Sequence, residues 1–196
     1  MKRLFVAVKI NPDPDFLHSF LELRHSLSHE KIRWVEERTI HITVKFLGET
    51  AESRIPEITE TVRGLAESTE DFEFSLTGLG VFGSFYNPRV IWVGIHPYHC
   101  LAALLKKARA EFTLLGFADD RQNLVPHLTL GRIKYLHDKT GFRQILIRFG
   151  KISSEPLAAE KLILFESILR PSGPEYHLLS SFSFPGSWQR NDRPEG

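Results

Sequence analysis

Four polar residues stand at matched places in two short apolar runs: His41 and Thr43 in TIHITVKFLGE, and His127 and Thr129 in VPHLTLGRIK. Both runs are β-prone, and strand side chains alternate faces, so residues two apart point the same way. Each run therefore presents an imidazole and a hydroxyl together. Histidine, with an ordinary pKa of about 6.5, both takes and gives a proton near neutrality. A pair of them meets the needs of an in-line displacement at phosphorus, in which one imidazole removes a proton from the attacking water and the other supplies one to the departing oxygen. The threonine hydroxyls would donate hydrogen bonds to the non-bridging oxygens. Such a scheme requires no metal. A five-membered cyclic phosphate suits it well, because ring strain and a tethered leaving group lower the demand on the catalyst.

In-line geometry requires the imidazoles to approach from opposite sides, so the elements must bring two distant strands face to face. RLFVAVKI at 3–10 reads as a strand, and Asn11-Pro12-Asp13-Pro14 as a turn and helix start. Phe16, Leu17, Phe20, Leu21, Leu23 and Leu27 fall largely at spacings of three and four and predict an amphipathic helix over about 13–28. Strands follow at 32–35 and 40–47, then a helix marked by Ile55, Ile58, Val62 and Leu65, then strands at 72–76 and 89–95. The order then resembles the first half. A third helix runs from about Leu101 to a glycine stop at Gly116, a loop containing Asp119 to Asn123 leads to the second motif strand at 126–133, and a helix over 139–148 precedes strands at 155–159, 161–169 and 176–184. The strands alternate rather than run apolar, and several follow one another without a helix, which favours an α+β protein with antiparallel sheets over a parallel βαβ sheet. One motif copy in each half predicts a single domain over 1–185, built of two related lobes facing each other across a cleft, with helices packed outside. The copies lie 86 residues apart, too far for a solenoid repeat. Residues 186–196 read as a loose tail.

A net charge of +1 excludes a protein that coats nucleic acid through bulk positive charge, so any RNA would be gripped at a small local site. The single cysteine, Cys100, forms no internal disulfide and belongs to no zinc-binding spacing, which suits a reducing cytoplasm. The apolar run near the start is short and closed by prolines, unlike a signal-peptide core, and no segment approaches a membrane span. A phosphate-binding Gly-x-x-x-x-Gly-Lys loop is missing too, which counts against nucleoside-triphosphate chemistry.

The flanks of the two motifs extend the pattern. RLFVAVKI, HITVKFLGE, GVFGSFYNPRVIWVGI, PHLTLGRIK and LILFESILRPSGPEYHLLSSFSF, in this order over nearly the whole chain, resemble the 2H phosphoesterases. Within them they resemble the bacterial and archaeal RNA 2′,3′-cyclic phosphodiesterases, formerly called 2′-5′ RNA ligases. The resemblance implies a bilobal α+β fold with the site between the lobes, and metal-independent opening of a 2′,3′-cyclic phosphate to a 2′-phosphate. It implies no cofactor, a monomer acting on RNA 3′ ends or nucleotides that carry the cyclic phosphate, and reversible 2′-5′ ligation as a side activity. Carried onto this chain, it makes His41 the acid to the leaving 3′ oxygen and His127 the base for water. Pseudo-symmetry leaves the reverse assignment open, and two other readings stay open as well. One is action on another small substrate, such as a 2′,5′-oligonucleotide or a cyclic phosphate of ADP-ribose. The other is a module that binds RNA ends or nucleotides without catalysis.

Further candidates attach to these strands. Lys45 is in phase with His41 and Thr43 on an ideal strand and so could reach the phosphate. Arg132 follows His127 by five and falls on the opposite face unless the strand bulges, but the resemblance implies an arginine near the phosphate. Phe5, Phe46, Phe85 and Tyr86 are candidates to stack on a base, against the simpler reading that they pack in core or loops. His25, His29, His96 and His99 read as surface residues; the first two are spaced like metal ligands but lack a third partner.

Overall fold

In the computed structural model, residues 1–84, 86–118, 126–170 and 173–186 are described. The candidate Phe85, the loop from Asp119 to Asn123 and nearly all of the expected tail lie outside them. Among the described residues nine strands and four α-helices follow one another along the chain: β1 (Lys2–Lys9), α1 (Pro14–Ser26), β2 (Lys31–Trp34), β3 (His41–Thr50), α2 (Ile55–Glu67), β4 (Phe72–Ser84), β5 (Asn87–His96), α3 (His99–Leu114), β6 (His127–Tyr135), α4 (Lys139–Arg148), β7 (Leu157–Ala159), β8 (Lys161–Arg170) and β9 (Gly173–Ser183).

Local chemistry sets the helix limits. Asp13 caps α1 by accepting from the Phe16 amide at 2.9 Å, with Pro14 at the first helical position, where its missing N–H costs nothing. Asp138 caps α4 through the Thr140 and Gly141 amides, both at 3.0 Å. Past α3, Gly116 adopts φ +80° and the Phe117 amide donates back to the Phe112 carbonyl, a turn that only glycine enters without strain. The apolar stripes are buried: Phe16, Phe20 and Leu23 of α1, Ile58, Val62 and Leu65 of α2, Leu101, Leu104, Ala108 and Phe112 of α3, and Phe142 of α4 join one cluster with strand residues of both sheets. Each such large side chain contributes about 1.5–3 kcal/mol by leaving water.

The strands form two antiparallel sheets, ordered β3-β1-β8-β9 and β2-β6-β5-β4-β7. The α+β expectation holds, but a lobe is not simply one half of the chain. In each sheet the motif strand (β3 or β6) lies beside the strand that leads into the preceding helix (β1 into α1, β5 into α3), so that by the fold the second half begins at β5. The next place is taken by a strand from the other half: β8 beside β1, and β4 beside β5. The two halves thus exchange a strand. A second departure is β2, which pairs with β6 and forms the edge of the second sheet, whereas the motif strand β3 is itself the edge of the first.

The strand β1 is buried on both faces as an inner strand of its sheet. Leu4, Val6 and Val8 enter the common core, while Phe5 and Ala7 underlie the opposite face. That second face also carries Thr43 and His41, directly across from Ala7 and Lys9 in the ladder with β3.

Candidate active site

His41 and Thr43 from the first sheet, and His127 and Thr129 from the second, border one cavity of about 900 Å³. The geometry depends on one backbone irregularity that occurs twice. In the β1–β3 ladder Ala7 pairs with Thr43 and Val6 with Lys45, so Val44 is an extra residue. In the β5–β6 ladder Trp92 pairs with Thr129 and Ile91 with Gly131, so Leu130 is extra. Such a bulge shifts the alternation by one. Residues five beyond each histidine, Phe46 and Arg132, therefore turn to the histidine face, and residues four beyond it turn away.

The bulges place the two lesser candidates differently. Arg132 borders the cavity, and its charge acts on His41 across the cleft. Lys45 has left the phase that ideal alternation assigned it: it touches the cavity wall but is only 3% exposed, and its ammonium donates to the Ala118 carbonyl at 2.7 Å. Phe46 lies partly open to the cavity, while Phe5 is buried beneath it, its ring stacked on Phe165 at 5.2 Å and 5.1 Å from the His41 ring. Tyr86 is 78% exposed and does not border the cavity. His25, His29, His96 and His99 are exposed, as expected.

Each histidine rests against aromatic rings. Tyr176 meets His41 edge-on at 5.3 Å, and Phe82 meets His127 edge-on at 4.6 Å, with Trp92 at 6.2 Å. Trp92 has its place because Gly80, its ladder partner, lacks a side chain; a Cβ there would stand 2.1 Å from the indole. On the other side, His41 Nδ1 lies 2.7 Å from the Thr39 carbonyl. A carbonyl only accepts, so Nδ1 carries the proton and Nε2 is left for exchange with a ligand. Burial holds this imidazole below its ordinary pKa; the Thr39 carbonyl opposes that effect, and the Arg132 charge adds to it.

Three cavity residues escaped the sequence reading: Arg3 on β1, Arg33 on β2 and Tyr176 on β9. Only the register of β2 against β6, which pairs Arg33 with Arg132, brings the second arginine to the site. The alternation in KIRW was a usable signal for the face of Arg33, but not for its neighbour. Among the described residues no group of three or more His, Cys, Asp or Glu side chains is placed to hold a metal ion, and no helix is long and apolar enough to cross a membrane.

Comparison with known proteins agrees with this architecture. The family model described as LigT-like phosphoesterase matches residues 11–92 and again 97–176. An RNA 2′,3′-cyclic phosphodiesterase of Thermotoga maritima is 31% identical over 94% of this chain and 96% of its own length. One of Aeropyrum pernix is 33% identical over 80% of this chain and 90% of its own. The crystal structure of TT0787 from Thermus thermophilus superimposes with a TM-score of 0.74 at 26% identity, covering 94% of this chain and 98% of that one. With a motif strand in each of two antiparallel sheets and a family match to both halves, the chain belongs to the LigT-like phosphoesterase family.

Proposed function

We propose that this protein is a metal-independent phosphodiesterase that opens the 2′,3′-cyclic phosphate at RNA or nucleotide ends to a 2′-phosphate. The observation that carries this reading is the meeting of both His-x-Thr pairs at one cavity, from opposing sheets. His127 takes a proton from water as the water oxygen attacks phosphorus. The bond from phosphorus to the 3′ oxygen breaks, and that oxygen receives the proton of His41. Thr43, Thr129 and Arg132 hold the non-bridging oxygens and their developing charge. Burial lowers the pKa of the free His41 imidazole, and a bound anionic phosphate beside it would raise its affinity for the proton that the acid role needs.

The relatives named RNA 2′,3′-cyclic phosphodiesterase support the substrate class. If a 5′-hydroxyl replaces water, the same path forms a 2′-5′ linkage, so ligation is a side reaction of this chemistry. Both histidines come from one chain, so a monomer is sufficient, and a cytoplasmic setting suits the free thiol of Cys100. The test is incubation with a nucleoside 2′,3′-cyclic phosphate in excess EDTA. Release of the 2′-phosphomonoester is expected, and an unchanged substrate defeats the reading.

A further inference from the structure

The cavity holds more positive charge than one phosphate needs. Arg33 and Arg132 stand directly opposite each other in the β2–β6 ladder, so both guanidinium groups leave the same face of the sheet. Like charges at such positions destabilise a sheet unless an anion lies between or beside them. Arg33 extends across the start of β9, where a Cβ added to Gly173 would stand 3.3 Å from its guanidinium nitrogen. Arg3 borders the same cavity from the first sheet, and the charges of Arg132, Arg33 and Arg3 all act on the Tyr176 phenol. Neither Arg3 nor Arg33 has a hydrogen bond or ion pair among the described residues. The one carboxylate among the described residues of the cavity wall, Glu36, is paired with Arg38 at 2.8 Å. The two-histidine chemistry uses Arg132 alone, which leaves two arginines and a phenolic donor without a task.

We propose that Arg3, Arg33 and Tyr176 form a second phosphate subsite, which binds a phosphate group of the substrate other than the one undergoing hydrolysis. The proposal rests on the cyclic phosphodiesterase reading and narrows it. The preferred substrate then carries two phosphates, either as an oligonucleotide end with an internucleotide phosphodiester or as a nucleotide with its own 5′-phosphate. Arginine matches phosphate through paired N–H donors, and the half-buried phenol adds a neutral donor.

The test compares kcat/KM for four substrates: a nucleoside 2′,3′-cyclic phosphate, the same compound with a 5′-phosphate, a dinucleotide ending in the cyclic phosphate, and that dinucleotide with an uncharged methylphosphonate linkage. The substrates with a second charged phosphate should be favoured by about tenfold or more, as expected for a charge-assisted contact. The methylphosphonate should lose the gain. A gain for the 5′-phosphate alone points to nucleotides, and a gain for the dinucleotide alone to RNA ends; either supports the subsite. In Arg33→Ala and Arg3→Ala the preference should collapse toward unity, while Lys106→Ala, which removes an exposed charge on α3 away from the cavity, should keep it. Equal rates for all four substrates, or a preference untouched by both arginine variants, overturn the proposal. Calorimetric binding of adenosine 2′-phosphate against adenosine 2′,5′-bisphosphate separates this failure from failure of the hydrolytic reading. Tighter binding of the bisphosphate, abolished in Arg33→Ala, upholds the subsite even if no substrate is turned over, and equal binding refutes it.

Discussion

Val44 in β3 and Leu130 in β6 hold the same place in their strands: each is the extra residue of a bulge, three positions after a histidine. The shift delivers an aromatic ring, Phe46, on one side of the cavity and a cation, Arg132, on the other. Arg132→Ala should therefore lower kcat/KM by about 10–1000-fold through lost charge stabilisation, as does removal of a single transition-state donor elsewhere. Steady-state kinetics on a cyclic phosphate decide this, and a variant with wild-type kcat/KM would remove Arg132 from the site.

Replacing either His41 or His127 with alanine should reduce kcat by about 10²–10⁴-fold, the range for loss of a general acid or base. Because they act as a unit, the double variant should be little worse than the poorer single one. Thermal unfolding run alongside shows whether the variants are folded. A His41 or His127 variant that is folded and fully active is incompatible with the mechanism.

The pH profile carries the sign of the His41 environment. If His41 must be protonated to act as acid, kcat/KM falls as pH rises through its free-enzyme pKa, which burial and Arg132 hold below the ordinary value. That alkaline limb should thus begin below the usual histidine range, and the limb for kcat, which reports the substrate complex, should lie higher. Arg132→Ala removes a lowering influence and should move the kcat/KM limb upward. A kcat/KM profile that does not move in Arg132→Ala would show that the Arg132 charge does not act on His41.

Lys45 offers a contrast with Arg132. Its ammonium satisfies the Ala118 carbonyl from within the wall. Lys45→Met should cost about 1.5–3 kcal/mol of stability, the net worth of one hydrogen bond made by a charged group. Urea denaturation measures this, and the effect on KM should be smaller than that of Arg132→Ala. The opposite ranking would return Lys45 to the phosphate.

Gly80→Ala should destabilise by about 1–3 kcal/mol, because the added methyl overlaps the Trp92 indole and neither β4 nor β5 can yield without breaking its ladder. Since Trp92 flanks His127, kcat should fall in the same variant. A stable, fully active Gly80→Ala protein would show that Trp92 does not position the imidazole.

Much of this arrangement was legible beforehand, because it rests on local rules. Apolar spacing in α1 to α4 and alternation in β3 and β6 are properties of single segments, and the faces of His41, Thr43, His127 and Thr129 follow from period two. Lys45 departs from its expected phase for the same reason: ideal alternation cannot register a bulge whose position is set by a neighbouring strand. Arg132 needed that bulge to reach the cavity. Arg3, Arg33 and Tyr176 were invisible because their meeting depends on which strands lie side by side, and side-chain periodicity carries no record of strand neighbours. The exchange of β4 and β8 between the sheets was hidden in the same way.

That exchange bears on how the cleft can behave. A single residue, Glu160, separates β7 of one sheet from β8 of the other, and its carbonyl is tied to the Phe184 amide at 2.7 Å. The chain also passes from α2, packed on β8 and β9, directly into β4 of the opposite sheet. The two jaws are stitched together at their back rather than joined by a hinge. So short a link limits how far the two sheets can part at that point, whatever the substrate.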